Sequence, residues 1–230
     1  MAYARPILGG LAIVAAVLVP WSYAAGLSRD VRPDVPWAAI VITAWMALLV
    51  AWLHGFGPPA STSAGRRSRL RLWPPAPDRD AAGGGAGPII LLLAVLYIAW
   101  TAMSRLSPAP DLTAYPTTAY RWSMFLMGGL LSGVVEEVAY RGYMQTGLER
   151  IDRGNAIAIT SVVFVLSHVT HGLSTLVVMA PGLFIASYLY GLLAQRTGTI
   201  LPGILIHTAG DLSRMFFGVL RGDAGVLFVG

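Results

Sequence analysis

The chain alternates between long apolar runs and short polar joins. The first run, Ile7 to Leu27, carries no charged residue and is long enough to cross a bilayer, which takes about 20 helical residues. Ser22-Tyr23-Ala24 forms a weak signal-peptide cleavage triplet, but further spans follow, so a retained first helix is the expectation. After the turn SRDVRPDVP a second span is expected from about Trp37 to Leu53, closed by His54 and Gly55, with His54 read as an interfacial residue. A third runs from Pro88 to about Met103. The fourth starts near Trp122, the fifth covers Ala156 to His171, the sixth Leu173 to Ala194, and the seventh Ile200 to Leu220. The pattern predicts an all-α polytopic membrane protein, a bundle of about seven transmembrane helices. The end of the chain, from Asp211 to Gly230, fits either an interfacial helix or a partial eighth span.

Composition supports a bilayer. Hydrophobic residues make up 56% and charged residues 12% of the 230 positions, against about 25% charged in a typical soluble domain. The mean hydropathy is +0.66. All sixteen basic residues are Arg, against eleven acids, and they fall mostly between apolar runs. Such placement serves membrane orientation. No stacking-aromatic or phosphate-loop pattern accompanies the charge, so nucleic acid is not an expected partner. The absence of Cys excludes disulfides, thiolate nucleophiles and Cys-ligated metal.

The one long polar segment, residues 57–87, is rich in Pro, Gly and Ser and reads as a linker. Its arginines, Arg66, Arg67, Arg69, Arg71 and Arg79, are the clearest orientation signal and place the linker and the N-terminus in the cytoplasm. Alternating spans then leave nine Arg inside and six outside, with Arg141 within a span. The Arg-, Ala- and Gly-rich composition resembles that of a GC-rich bacterial genome, so the expected location is the bacterial inner membrane. The chain divides into an N-terminal helix pair (1–56), the linker (57–87), a third span and loop (88–119), a core (120–220) and a tail (221–230).

Candidate chemistry sits in residues 128–147, GGLLSGVVEEVAYRGYMQTG. A charge at a helix centre in a membrane costs roughly 2.5–3.5 kcal/mol on insertion scales, and Glu136, Glu137 and Arg141 put three within six residues. Glu137 and Arg141 share a helix face at i,i+4; Glu136 and Tyr140 form the neighbouring pair. A structural ion pair explains one Glu and the Arg but leaves a second carboxylate, the natural candidate for an acid or base. His168 follows Phe164 at i+4, His171 lies three residues on, and Asp211 follows His207 at i+4. Measured from the inner joins at ~1.5 Å per residue, the two Glu, His168 and His207 all lie roughly 14–23 Å deep. They can meet near mid-membrane in a buried catalytic site, where a carboxylate and two imidazoles suit water activation and oxyanion stabilisation. Gly128, Gly129, Ser132 and Gly133 form a small-residue face assigned to helix packing.

These residues resemble the CPBP family of intramembrane proteases, which includes the CAAX prenyl endopeptidases and the bacterial Abi proteins. EEVAYR (Glu136 to Arg141) is similar to its E-E-x-x-x-R motif, FVLSH (Phe164 to His168) to F-x-x-x-H, and HTAGD (His207 to Asp211) to H-x-x-x-N/D. The order and spacing agree, and the resemblance covers about residues 120–215. It implies an intramembrane endopeptidase acting on a membrane-anchored protein or peptide. Carried over, Glu136 is the general base, His168 helps hold the water, His207 and Asp211 flank the oxyanion, and Glu137 and Arg141 organise the site. Asp211 stands where many CAAX endopeptidases have Asn, so it must be protonated to donate, or else orient His207. No cofactor is favoured. Zinc is the alternative, held by Glu136, His168 and His207 with an open position. The rival functions are a non-proteolytic membrane scaffold of the same fold and a proton- or ion-coupled transporter. The transporter lacks the expected internal repeat. The sequence sets no oligomeric state and names no substrate.

Overall fold

The computed structural model describes residues 2–30, 37, 40–41, 43–44, 71, 86–104, 129, 131–171 and 173–218. All regular structure among them is helical: α1 (Ala4–Asp30), α2 (Ala86–Ser104), α3 (Ser132–Glu136), a π-helix (Glu137–Gln145), α4 (Thr146–Glu149), α5 (Ala156–Ser167), a 3₁₀ turn (His168–His171), α6 (Leu173–Thr197) and α7 (Leu201–Gly218). Two helical stretches, Ala4–Ala24 and Leu176–Thr197, are long and apolar enough to cross a membrane; Ala86–Ala99 and Ala156–Ser167 are apolar but shorter. Most of the expected second span, His54, most of the linker, the loop before the fourth span and the tail beyond residue 218 lie outside the described residues.

The π-helix is the centre of the assembly. It packs against α1 on one side and α5 and α6 on the other, so it has almost no outward face. Eight of its nine residues are buried, Tyr143 being the exception. The sequence pattern predicts a regular helix here; the structure instead widens the turn. Such widening is uncommon and recurs at functional sites. Its consequence is local: Glu137, Tyr140, Arg141, Met144 and Gln145 all point into protein.

Close approach by α1 depends on Gly9, which faces Tyr143, and Gly10. A Cβ on Gly10 would stand 2.7 Å from the Met144 methyl and 3.1 Å from the Ala139 carbonyl. With both positions bare, Val14 joins Ala139, Tyr140, Met144, Leu148, Ala156 and Phe164 in one core cluster, flanked by Ile7 and Leu11. The first helix therefore shares its core with the site-bearing segment. A second cluster, Ile89, Leu93, Tyr190 and Leu193, joins α2 to α6.

The end of the bundle at α4 is polar. Glu149 pairs with Arg71 and accepts from Gln145 Nε2 at 2.9 Å; Gln145 also donates to the Gly191 carbonyl at 3.1 Å. The Arg71 carbonyl accepts from the Ile200 amide at 2.9 Å, just before α7. One arginine of the linker is thus fastened between two helix ends. In the turn before α5, Asn155 donates to Asp152 through its side chain at 2.8 Å and its amide at 3.2 Å. Those bonds hold the exposed Asp152 carboxyl below its usual range.

Candidate active site

The adjacent glutamates occupy different environments. Glu137 is fully buried: its Oε1 lies 3.1 Å from Arg141 Nη1 and 3.1 Å from His207 Nδ1. Glu136, one residue earlier, keeps 22% side-chain exposure, lies 3.7 Å from His207 Nε2 through Oε2, and lines a cavity of about 380 Å³. Consecutive helical residues project about 100° apart, which is why one carboxylate faces the cavity and the other the bundle interior.

Arg141 is the most demanding residue in the core, being a cation with no exposed surface. Buried charges persist when paired and hydrogen-bonded; Arg141 is paired with Glu137 and hydrogen-bonded through Nη2, while its Nε and Nη1 make no hydrogen bond among the described residues. Besides Glu137, its Nη2 donates to the Ser187 hydroxyl at 2.9 Å and the Ser187 carbonyl at 3.1 Å. Its guanidinium carbon lies 5.0 Å from the Phe164 ring centroid and 5.4 Å from that of Tyr190, within cation–π range. The i,i+4 pairing read from the sequence is present, and Ser187 and the aromatic enclosure are additions from α6 and α5.

Both imidazoles are oriented by local bonds. His168 follows α5, which ends at Ser167, and sits in the 3₁₀ turn, so the expected fifth helix is α-helical only up to that histidine. There its Nδ1–H donates to the Phe164 carbonyl at 2.8 Å, and its ring packs 4.6 Å from the Phe164 ring. A carbonyl only accepts, so the neutral ring carries its lone pair on Nε2. His207, on α7, sends Nδ1 to Glu137 and stacks on Tyr190 at 5.0 Å with 15° between the planes. Its Nε2 lies 3.7 Å from both Glu136 Oε2 and Asp211 Oδ2. With Nδ1–H committed to a carboxylate, Nε2 donates only in the imidazolium form.

Asp211 accepts a 2.8 Å bond from the Ser132 hydroxyl. Ser132, read from the sequence as packing, is therefore also a site residue. Gly133 beside it does pack, since a Cβ there would stand 2.8 Å from Thr208 Oγ1 and 3.3 Å from His207 Cβ. Gly203 has a similar duty toward Glu137, whose Oε2 would lie 2.9 Å from an added Cβ. Tyr190, Ser187 and Tyr97 were not singled out by sequence because hydroxyls and rings on apolar helices look like packing residues until their partners are known.

Glu136, His168, His207 and Asp211 thus line one cavity, with Ser132 and Tyr190, while Glu137 and Arg141 stand behind His207. The opposite wall is apolar, from Leu96 on α2 and Met179, Leu183 and Ala186 on α6. The side chain of His171 lies outside the described residues. Among the described residues no three His, Asp or Glu side chains are arranged to hold a metal ion.

Comparison with known proteins gives one family. Residues 118–213 match the model of the family described as type II CAAX prenyl endopeptidase Rce1-like. Neither the curated proteins nor the solved structures return a match. The matched segment holds all three motifs, from Glu136 to Asp211, and the match supports the resemblance to the CPBP family over residues 118–213.

Proposed function

We propose that this protein is an intramembrane endopeptidase in which Glu136 activates the attacking water. The observation that carries the reading is the unequal treatment of two adjacent carboxylates. Glu137 is immobilised between Arg141 and His207, while Glu136 meets the cavity that His168, His207 and Asp211 also line.

The steps follow from those positions. A water in the cavity is held between Glu136 and Nε2 of His168. Its oxygen attacks the substrate carbonyl carbon as its proton passes to Glu136, and the carbonyl π electrons move to oxygen. His207, as imidazolium, donates from Nε2 to that oxyanion. The oxyanion then re-forms the carbonyl, the C–N bond breaks, and Glu136 returns its proton to the departing nitrogen. Asp211, already accepting from Ser132, acts by orienting His207. Glu137 and Arg141 hold the imidazole from behind. The apolar wall favours a substrate with apolar side chains beside the scissile bond, brought to mid-membrane depth by its own anchor.

The test uses the full-length protein in proteoliposomes with two fluorescent peptides. One is farnesylated on the Cys of a CAAX terminus, following the family's description; the other is lipid-anchored without a prenyl group. We expect cleavage of at least one, its loss in Glu136→Gln, and its survival after chelator treatment. Cleavage by Glu136→Gln at the wild-type rate refutes the base. Chelator inactivation reversed by zinc refutes the metal-free route.

A further inference from the structure

At the end of α5 the helix tightens. The His168 amide turns to the Val165 and Leu166 carbonyls rather than to the Phe164 carbonyl four residues back, and the 3₁₀ turn begins there. Two side chains meet the Phe164 carbonyl: His168 Nδ1 at 2.8 Å and the Ser167 hydroxyl at 2.7 Å. The Ser167 oxygen is itself 2.7 Å from the Tyr140 hydroxyl, which comes from the π-helix 27 positions earlier.

Chemistry fixes the direction of these bonds. A carbonyl only accepts, so the single Ser167 hydroxyl hydrogen points to Phe164, and Tyr140 donates to Ser167. The chain of bonds therefore runs from the Tyr140 phenol through Ser167 to the carbonyl that orients His168. The Tyr140 ring also meets the Phe164 ring edge-on at 5.1 Å, and that ring packs 4.6 Å from the imidazole. A serine bonding back onto its own helix is common. A donor from another element onto that serine does more, because it ties the π-helix that follows Glu136 to the turn that bears His168. We propose that Ser167, held by Tyr140, is a positioning residue for His168, fixing the tautomer and orientation of an imidazole that lines the cavity with Glu136. The inference rests on the endopeptidase reading for its kinetic arm; its spectroscopic arm requires no cleavage.

The spectroscopic arm uses full-length protein carrying nitrogen-labelled histidine in nanodiscs, at a mildly alkaline pH where an ordinary imidazole is neutral. Nitrogen–proton correlations of the rings report which ring nitrogen carries hydrogen, and His168→Gln identifies the signal by its disappearance. Wild type should show a single Nδ1–H pattern for His168. Ser167→Ala unties the turn from the π-helix, so that pattern should give way to a mixture of both tautomers. Ser167→Thr keeps a hydroxyl able to bond back to a helix carbonyl and should restore the single pattern. Tyr140→Phe keeps the ring contact and deletes only the outer donor, so its change should be smaller and in the same direction. A wild-type ring protonated on Nε2, or a Ser167→Ala spectrum identical to wild type, overturns the proposal. If Ser167→Ala does not fold, Tyr140→Phe decides, and an unchanged His168 signal there overturns it.

The kinetic arm follows whichever of the two peptides is cleaved. The worth of one neutral hydrogen bond predicts a fall in kcat of about 2–12-fold in Ser167→Ala, with KM little changed and recovery in Ser167→Thr. A loss confined to KM, or one that Ser167→Thr does not recover, overturns the positioning role. If the wild type cleaves neither peptide but Ser167→Ala still alters the His168 pattern, the endopeptidase reading fails and the Ser167 assignment stands.

Discussion

Replacing Arg141 with Gln should unfold the core before it affects anything else. The guanidinium is fully buried and makes an ion pair with Glu137 at 3.1 Å and two bonds to Ser187 at 2.9 and 3.1 Å. Each bond from a charged donor is worth about 1.5–3 kcal/mol alone, and such terms are not additive. The better guide is the cost of breaking a buried pair by removing one partner, about 3–5 kcal/mol. Glu137 would keep His207 as its only charged neighbour of opposite sign among the described contacts. At about 2–4 °C per kcal/mol for a chain of this size, the apparent Tm falls by roughly 6–20 °C. The assay is thermal unfolding of purified protein in detergent, followed by tryptophan fluorescence. The double variant Glu137→Gln/Arg141→Gln removes both charges, so it should lose about 0.5–3 kcal/mol less than the sum of the singles. A Tm within 2 °C of wild type for Arg141→Gln, or strict additivity in the cycle, refutes the claim that this pair holds the site together.

Three further outcomes follow from the same contacts. Gly203→Ala presses a methyl against the Glu137 carboxylate; overpacking of this kind costs about 1–3 kcal/mol, and Tm and cleavage rate should fall together. Ser132→Ala deletes the donor to Asp211 and should lower kcat by about 2–12-fold, the worth of one hydrogen bond in this role, with Tm nearly unchanged; a loss confined to Tm would make the serine merely structural. Gly10→Leu, which cannot fit beside Met144 and the Ala139 carbonyl, should separate α1 from the π-helix and destabilise the fold by at least the 1–3 kcal/mol of an overpacked site. A wild-type melting curve for that variant would show that α1 is dispensable to the core.

The helical class was legible in the sequence because apolar runs and charged joins follow directly from bilayer energetics. The i,i+4 pairs were legible as well: Glu137 with Arg141 and Phe164 with His168 appear as read, since a helix brings those positions together wherever it lies. The π-helix was not legible. Its widened turn is stabilised by what packs around it, α1 above all, and the segment's own residues carry no mark of that. The difference between Glu136 and Glu137 was visible only as two residues with one cation; which faces the cavity depends on how α3 and the π-helix are rotated against α7. Ser132 was read as a small packing residue because its acceptor, Asp211, lies 79 positions away. Tyr97 escaped notice for the same reason, its partner Tyr190 being 93 positions distant. Long-range polar contacts between apolar helices leave no periodic trace.

The division of labour between the two glutamates is the centre of this account. It is tested most directly by measuring peptide cleavage and Tm side by side for Glu136→Gln and Glu137→Gln in one proteoliposome preparation. Loss of a positioned acid–base group removes about 10²–10⁴-fold in rate. The account predicts that loss for Glu136→Gln with Tm within about 2 °C of wild type, a shift worth no more than about 1 kcal/mol. For Glu137→Gln it predicts a clear fall in Tm. Full activity in Glu136→Gln, or a Glu137→Gln protein as stable as wild type, would contradict it.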